Sequence, residues 1–246
     1  MIMRTHIRSF RLVAPVALLV FAGCFKLARE SPRLQQYALG GAVAATAAAT
    51  AVAPAASSAA SSTASTMART GLVVGLRRLD LASYLSIPDI VWRRGANELV
   101  VSEFHRWGGD LDEGINRAMA GHLRGLTPVQ AVDVAPWQAR ARHDFLLQLH
   151  VSRFEGVADS AATQGRIHVM AGWDIIRPLD GALLMRGSSD DRGSAWRVGD
   201  YAGLVSQLDA ALARIARDIS ACLARFPNDS TPPASCGSAT AAGVGR

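Results

Sequence analysis

The sequence predicts an α+β fold: a mostly antiparallel sheet with two amphipathic helices packed on one face. Three observations carry that expectation. Residues 97–126 read as a strand that turns at Gly108-Gly109 into a helix. Phe145, Leu147, Leu149 and Val151, and again Ile167, Val169, Ala171, Trp173 and Ile175, alternate with other residues at the period of half-buried strands. From Tyr201 to Phe226, Leu204, Leu208, Leu212, Ile215, Ile219 and Leu223 form one apolar stripe, with Asp209, Arg214, Arg217, Asp218 and Arg225 on the other side. A one-sided sheet and one-sided helices bury each other's apolar surfaces as layers.

The 246 residues suit one domain with extensions, or two small domains. Residues 1–23 read as a signal peptide. Arg4, Arg8 and Arg11 stand there without an acid, and the apolar run 12–22 is too short for a bilayer core that needs about 20 residues. The run ends in Phe21-Ala22-Gly23-Cys24, which resembles the bacterial lipobox, where small residues precede a cysteine that receives diacylglycerol. Cys24 is therefore the expected lipidation site, and two or three acyl chains hold a protein far more firmly than one. Phe25 follows it; by analogy with such lipoproteins, the lack of an Asp there points to the periplasmic face of the outer membrane. The formal charge is +6, but the cations are scattered, and Lys26 is the one lysine among arginines. No basic run with interleaved aromatics appears, which argues against nucleic-acid binding.

Residues 24–70 read as a tether. After Gln36-Tyr37-Ala38-Leu39, residues 41–66 contain only Ala, Ser, Thr, Val, Gly and one Pro. Such a stretch buries little and cannot offset its ordering entropy, so it reads as a flexible insertion. The folded domain is expected over 71–227 and a disordered Pro/Ser/Thr/Gly-rich tail over 228–246.

Within the domain, 71–79 and 89–93 read as strands, and Arg94-Gly95-Ala96 closes a hairpin onto the strand that begins at Asn97. Leu111, Ile115, Met119, Leu123 and Leu126 keep helical spacing, with Asp110 and Glu113 in a capping-box pattern and Gly125 and Pro128 at the end. Residues 129–142 look irregular. Phe154 falls out of phase with its strand, the mark of a bulge or of the strand's end near Arg153-Phe154-Glu155, and 156–165 can close the next hairpin. Leu183–Met185 and Ala195–Val198 read as a last hairpin around a polar loop, 187–193, and Asp200 as the cap of the final helix.

The chemistry-bearing residues are sparse. His-Glu-x-x-His, Gly-x-Ser-x-Gly and phosphate-loop patterns are missing from the sequence, so no metal, cofactor or nucleophile is expected. His150 and His168 are expected to stand opposite each other on a polar strand face near Asp174 or Glu155, more simply as exposed histidines than as ligands. Asp190-Asp191 reads as a solvated pair in a loop. With Cys24 lipidated, Cys222 and Cys236 either pair as a disulfide or remain a buried thiol and a free tail thiol.

The stretch NELVVSEFHRWGGDLDEGINRAM resembles the ABC-type transport auxiliary lipoproteins, the family of paraquat-inducible protein C, and YLSIPDIVWR, SRFEG and WDII add to the likeness. The resemblance implies a non-catalytic envelope lipoprotein with two partners, an ABC transporter complex and a membrane-anchored MCE-domain protein. Such systems move phospholipid or other apolar cargo between the inner and outer membranes. Its Arg-Trp corner makes Trp92, His105, Arg106 and Trp107 the candidates for docking a partner, and assembly into homo-oligomers is compatible with that role. A lipid-anchored periplasmic enzyme and a structural envelope lipoprotein are the competing readings.

Overall fold

Two long strands carry the sheet. In the computed structural model, β7 (Phe145–Ala158) and β8 (Gln164–Ile176) pair antiparallel from Leu146↔Ile176 to Ala158↔Gly165. The structure describes residues 33–41, 71–138, 140–193, 195–226 and 236. The chain divides into two units, Met1–Leu34 and Gln35–Arg246, and the fold belongs to the second. Residues 1–23, Cys24, most of the tether and nearly all of the tail lie outside the described residues.

The alternation of Leu147, Leu149 and Val151 puts them on one face opposite Ile175, Trp173 and Ala171. The bulge expected near Phe154 lies between Val151 and Arg153. It advances the phase by one residue, so that Phe154, Gly156 and Ala158 continue the same inner face.

Along its other edge β7 takes β2 (Leu72–Leu76), β3 (Asp80–Leu81) and β4 (Asp89–Arg94) in turn, each parallel to it. A 3-10 turn, Ser83–Leu85, joins the last two. The expected hairpin forms between β4 and β5 (Glu98–Trp107), and β1 (Gln35–Tyr37) lies parallel to β5 along His105–Trp107. Helix α1 (Leu111–Leu123) then carries the chain to β6 (Val129–Val134), which pairs parallel with β2.

The sheet is therefore mixed, and the expected mostly antiparallel arrangement is corrected. Of the nine strand pairings among the described residues, five are parallel (β1 with β5, β2 with β6, and β2, β3 and β4 with β7). Alternation reports which face is buried but says nothing of the neighbour's direction. Tight turns are visible in sequence, whereas a parallel pairing is made by a crossover such as α1.

Two further segments differ from expectation. Val129–Val134 is a strand, paired parallel with β2 across a register shift near Gln130, and its Val129 and Val132 are buried in the core. The last hairpin does not form: β9 (Leu183–Asp191) and β10 (Ala195–Arg197) both pair with β8, one after the other. Gly187 to Asp191 has a loop's composition but runs as strand, its carboxylates held by neighbours on both faces.

The second helix, α2 (Tyr201–Leu223), starts at Asp200, whose carboxylate accepts from the Gly203 amide at 2.9 Å. Asp110 precedes α1 in an extended conformation, but its side chain makes no capping hydrogen bond. Gly125, at φ +86°, ends that helix in the left-handed region. Ile115, Met119 and Leu123 of α1 and Leu204, Leu208, Leu212, Ile215 and Ile219 of α2 are buried against Phe154, Ile167 and Trp173 of the sheet. Each such side chain contributes about 1.5–3 kcal/mol on burial. No described helix is long and apolar enough to cross a membrane.

Candidate functional site

The four residues expected to dock a partner all sit on β4 and β5, yet the fold uses them differently. Trp92 is 4% exposed and meets Trp196 edge-on at 6.0 Å, with the Arg94 guanidinium 5.4 Å over its ring. Trp107 is 7% exposed and leans on Phe154 at 6.1 Å. His105 is stacked between Tyr201, at 3.9 Å, and Tyr37, at 5.9 Å, with Ser102 Oγ 3.0 Å from its Nδ1. Burial holds the pKa of His105 below its ordinary value, since the imidazolium would be desolvated. Arg106 alone reaches well into solvent, and its Nε donates to Asp89 at 2.6 Å. Trp92 and Trp107 therefore pack inward and cannot present their faces to a partner. Large aromatics beside Arg and His look like surface residues in a sequence, but here both rings lie against aromatic side chains of neighbouring strands, Trp196 and Phe154.

What β5 exposes is three large apolar side chains beside Glu98 and Glu103. Leu99, Val101 and Phe104 are 41%, 49% and 36% exposed, and β1 covers only His105–Trp107. Among the described residues, the outer edge of β5 from Glu98 to Phe104 has no strand beside it. An open edge with exposed apolar side chains is a surface that extended segments can join.

A second feature spans the helix-free face of the sheet. Glu155 is fully buried there and accepts from Arg93 Nε at 2.8 Å, Arg93 Nη2 at 3.4 Å and Arg153 Nη1 at 3.4 Å. The Arg93 guanidinium lies 5.8 Å from the ring centre of Tyr84. Burial and the adjacent Glu155 carboxylate push the Tyr84 phenol up to about 12. A carboxylate met by two guanidiniums and removed from water acts as a fastening between β4 and β7. The sequence marked this place only through the out-of-phase Phe154, because Arg93 and Glu155 lie 62 residues apart. Gly156, next along, lets Trp196 approach: a Cβ there would stand 2.7 Å from that ring.

The two histidines do not face each other. His150 registers with Gly172 and lies 3.2 Å from Asp80 and 3.5 Å from Asp174, while His168 registers with Glu155. Arg186 binds Asp174 through two bonds, 2.7 and 2.9 Å, and holds that carboxyl below the usual range. His168 Nε2 stands 2.8 Å from Asp190, which Arg192 also reaches at 3.3 Å, and Arg214 of α2 binds Asp191 on the opposite face. Asp190-Asp191 is thus a strand pair split between two faces. No group of three or more His, Cys, Asp or Glu able to hold a metal occurs among the described residues.

Cys222, buried on α2, is joined to Cys236 by a disulfide with the Cα atoms 5.9 Å apart. The Cys236 amide donates to the Arg186 carbonyl at 3.1 Å, so the tail touches β9 beside Gly187.

Residues 44–220 match the family described as the ABC-type transport auxiliary lipoprotein component. Among solved structures, protein XCC0632 from Xanthomonas campestris is 15% identical and superposes with a TM-score of 0.51, over 62% of this chain and 83% of that one. That likeness shows a shared fold. The PelC dodecamer from Paraburkholderia phytofirmans is 16% identical over 61% of this chain and 88% of its own, with a TM-score of 0.37. Lipoprotein GNA1162 from Neisseria meningitidis is 12% identical over 58% and 96%, with a TM-score of 0.28. No curated protein matches the sequence.

Proposed function

Since the chain belongs to the ABC-type transport auxiliary lipoprotein family, we propose that it serves its transporter from the periplasmic face of the outer membrane, as a non-catalytic docking component. Diacylglycerol on Cys24 anchors it there, and the tether gives the domain reach. Its partners are the ABC transporter complex and a membrane MCE-domain protein, and the cargo passed between the membranes is lipid. The observation that supports docking is the open edge of β5, where Leu99, Val101 and Phe104 face solvent and Arg106 lies on the same strand. Trp92, His105 and Trp107 belong to this surface as its support, since they hold β4 and β5 in place from beneath.

Cross-linking of the full-length protein in envelopes tests this reading, with Leu99→Glu/Val101→Glu and Cys24→Ala variants alongside. The expected result is recovery of transporter and MCE subunits by the parent, at least tenfold less by the double variant, and loss of outer-membrane fractionation by Cys24→Ala. Equal recovery by the double variant rejects the β5 edge, and unchanged fractionation of Cys24→Ala rejects the anchor. A Trp107→Ala variant does not serve here, because emptying a buried Trp site costs about 3–5 kcal/mol and disturbs the fold itself.

A further inference from the structure

The edge of β8 has a gap in its ladder. β9 leaves it at Val169↔Asp191 and β10 joins it at Arg166↔Ala195, so among the described residues Ile167 and His168 have no registered partner on that side. Gly193, in the connection between the two strands, lies against Ile167: a Cβ there would stand 2.6 Å from its side chain.

A cavity of about 420 Å³ opens at this gap. That volume lies within the roughly 300–1,000 Å³ of small-molecule sites. Its accessible apolar lining comes from Val157 and Ala195, which share a row with Arg166, and Arg192 also borders it. The buried Ile167 turns its side chain to the core on the other face. His168, 8% exposed, forms part of the wall, and its Nε2 is engaged by Asp190. Arg166 is exposed and makes no ion pair among the described residues, whereas Arg192 holds Asp190 only at 3.3 Å and is 67% exposed. Asp159 is the carboxylate on the lining. An apolar recess beneath two guanidiniums selects for a molecule with an alkyl chain and an anionic head: the chain gains about 0.8 kcal/mol per buried methylene, and the head gains charge-assisted bonds.

We propose that this cavity is a binding site for a single-chain anionic amphiphile, its chain against Val157 and Ala195 and its head between Arg166 and Arg192. The site lies on β8, away from the β5 edge, and stands or falls independently of the docking reading. A carboxylate or a phosphate head fits the same chemistry.

Calorimetric titration of the purified full-length protein below the critical micelle concentration tests the site. The probes are palmitate, lysophosphatidylglycerol, a neutral monoacylglycerol and inorganic phosphate. Saturable one-to-one binding of palmitate, of lysophosphatidylglycerol or of both is expected, and which of them binds identifies the head. Inorganic phosphate and the neutral lipid are expected to bind at least tenfold more weakly. Arg166→Ala lowers affinity at least tenfold, Arg166→Lys restores part of it, Ala195→Trp fills the recess and abolishes binding, and Asp159→Asn tightens it. Each variant's thermal midpoint checks folding. The proposal is overturned if neither charged amphiphile binds saturably, if the neutral lipid or bare phosphate binds as well, or if folded Arg166→Ala and Ala195→Trp bind like the parent.

Discussion

Tyr84 shows how one side chain reports its surroundings. Its phenol is raised to about 12, by burial first and then by the Glu155 carboxylate, with Arg93 opposing. An unfolded chain ionises its tyrosines near pH 10, so above that pH the folded state holds a proton the unfolded state has lost. The stability tied to Tyr84 is therefore complete below about pH 10 and is lost as pH rises through about 12. Ultraviolet titration of tyrosinate should show a late step near pH 12 that Tyr84→Phe removes, and a curve complete by pH 11 would contradict this. The same contact explains why Glu155 escaped recognition as a fastening. A lone Glu in a strand signals nothing until Arg93, far away in sequence, is brought beside it by the parallel pairing of β4 with β7.

At the scale of elements, the helices were legible because a stripe at helical spacing survives whatever the neighbours do. Leu204, Leu208, Leu212, Ile215 and Ile219 are buried as the pattern requires. The strands β7 and β8 were legible for the same reason, at the shorter period. Strand β9 was not, because its Gly, Ser and Asp residues match a loop's composition and only the pairing with β8 makes them a strand. The tie between the helices was also invisible: His122 Nε2 of α1 and Asp209 of α2 lie 3.0 Å apart, and the Gly40 amide donates to the same Asp209 oxygen at 3.0 Å. Replacing Asp209 with Ala leaves two part-buried polar partners unpaired and is expected to cost about 2 kcal/mol. Urea unfolding monitored by circular dichroism measures this, and a loss below 1 kcal/mol would show that the tie is idle.

For the whole molecule, the mixed sheet was the least legible feature, since direction is a property of connections rather than of strands. The chain closes on itself through Cys222 and Cys236, 14 residues apart. A covalent loop of that size is worth about 3 kcal/mol through the unfolded state, or roughly 6–12 °C in Tm for a domain this large. Scanning calorimetry with and without dithiothreitol, and on Cys236→Ser, should show that drop in both cases. An unchanged midpoint on verified reduction would mean that the bond adds nothing.

The short strand β1 bears on how the domain can be handled in the laboratory. Gln35–Tyr37 lies before the long Ala-rich stretch, yet it pairs with the end of β5 at His105–Trp107, and Tyr37 and Gly40 contact His105 and Asp209. A recombinant fragment trimmed at residue 71, where compositional bias ends, would strip one ring from the stack on His105 and remove a donor from Asp209. Soluble versions for crystallisation or partner screening are therefore better begun upstream of Gln35, with the Ala-rich stretch shortened internally instead of amputated.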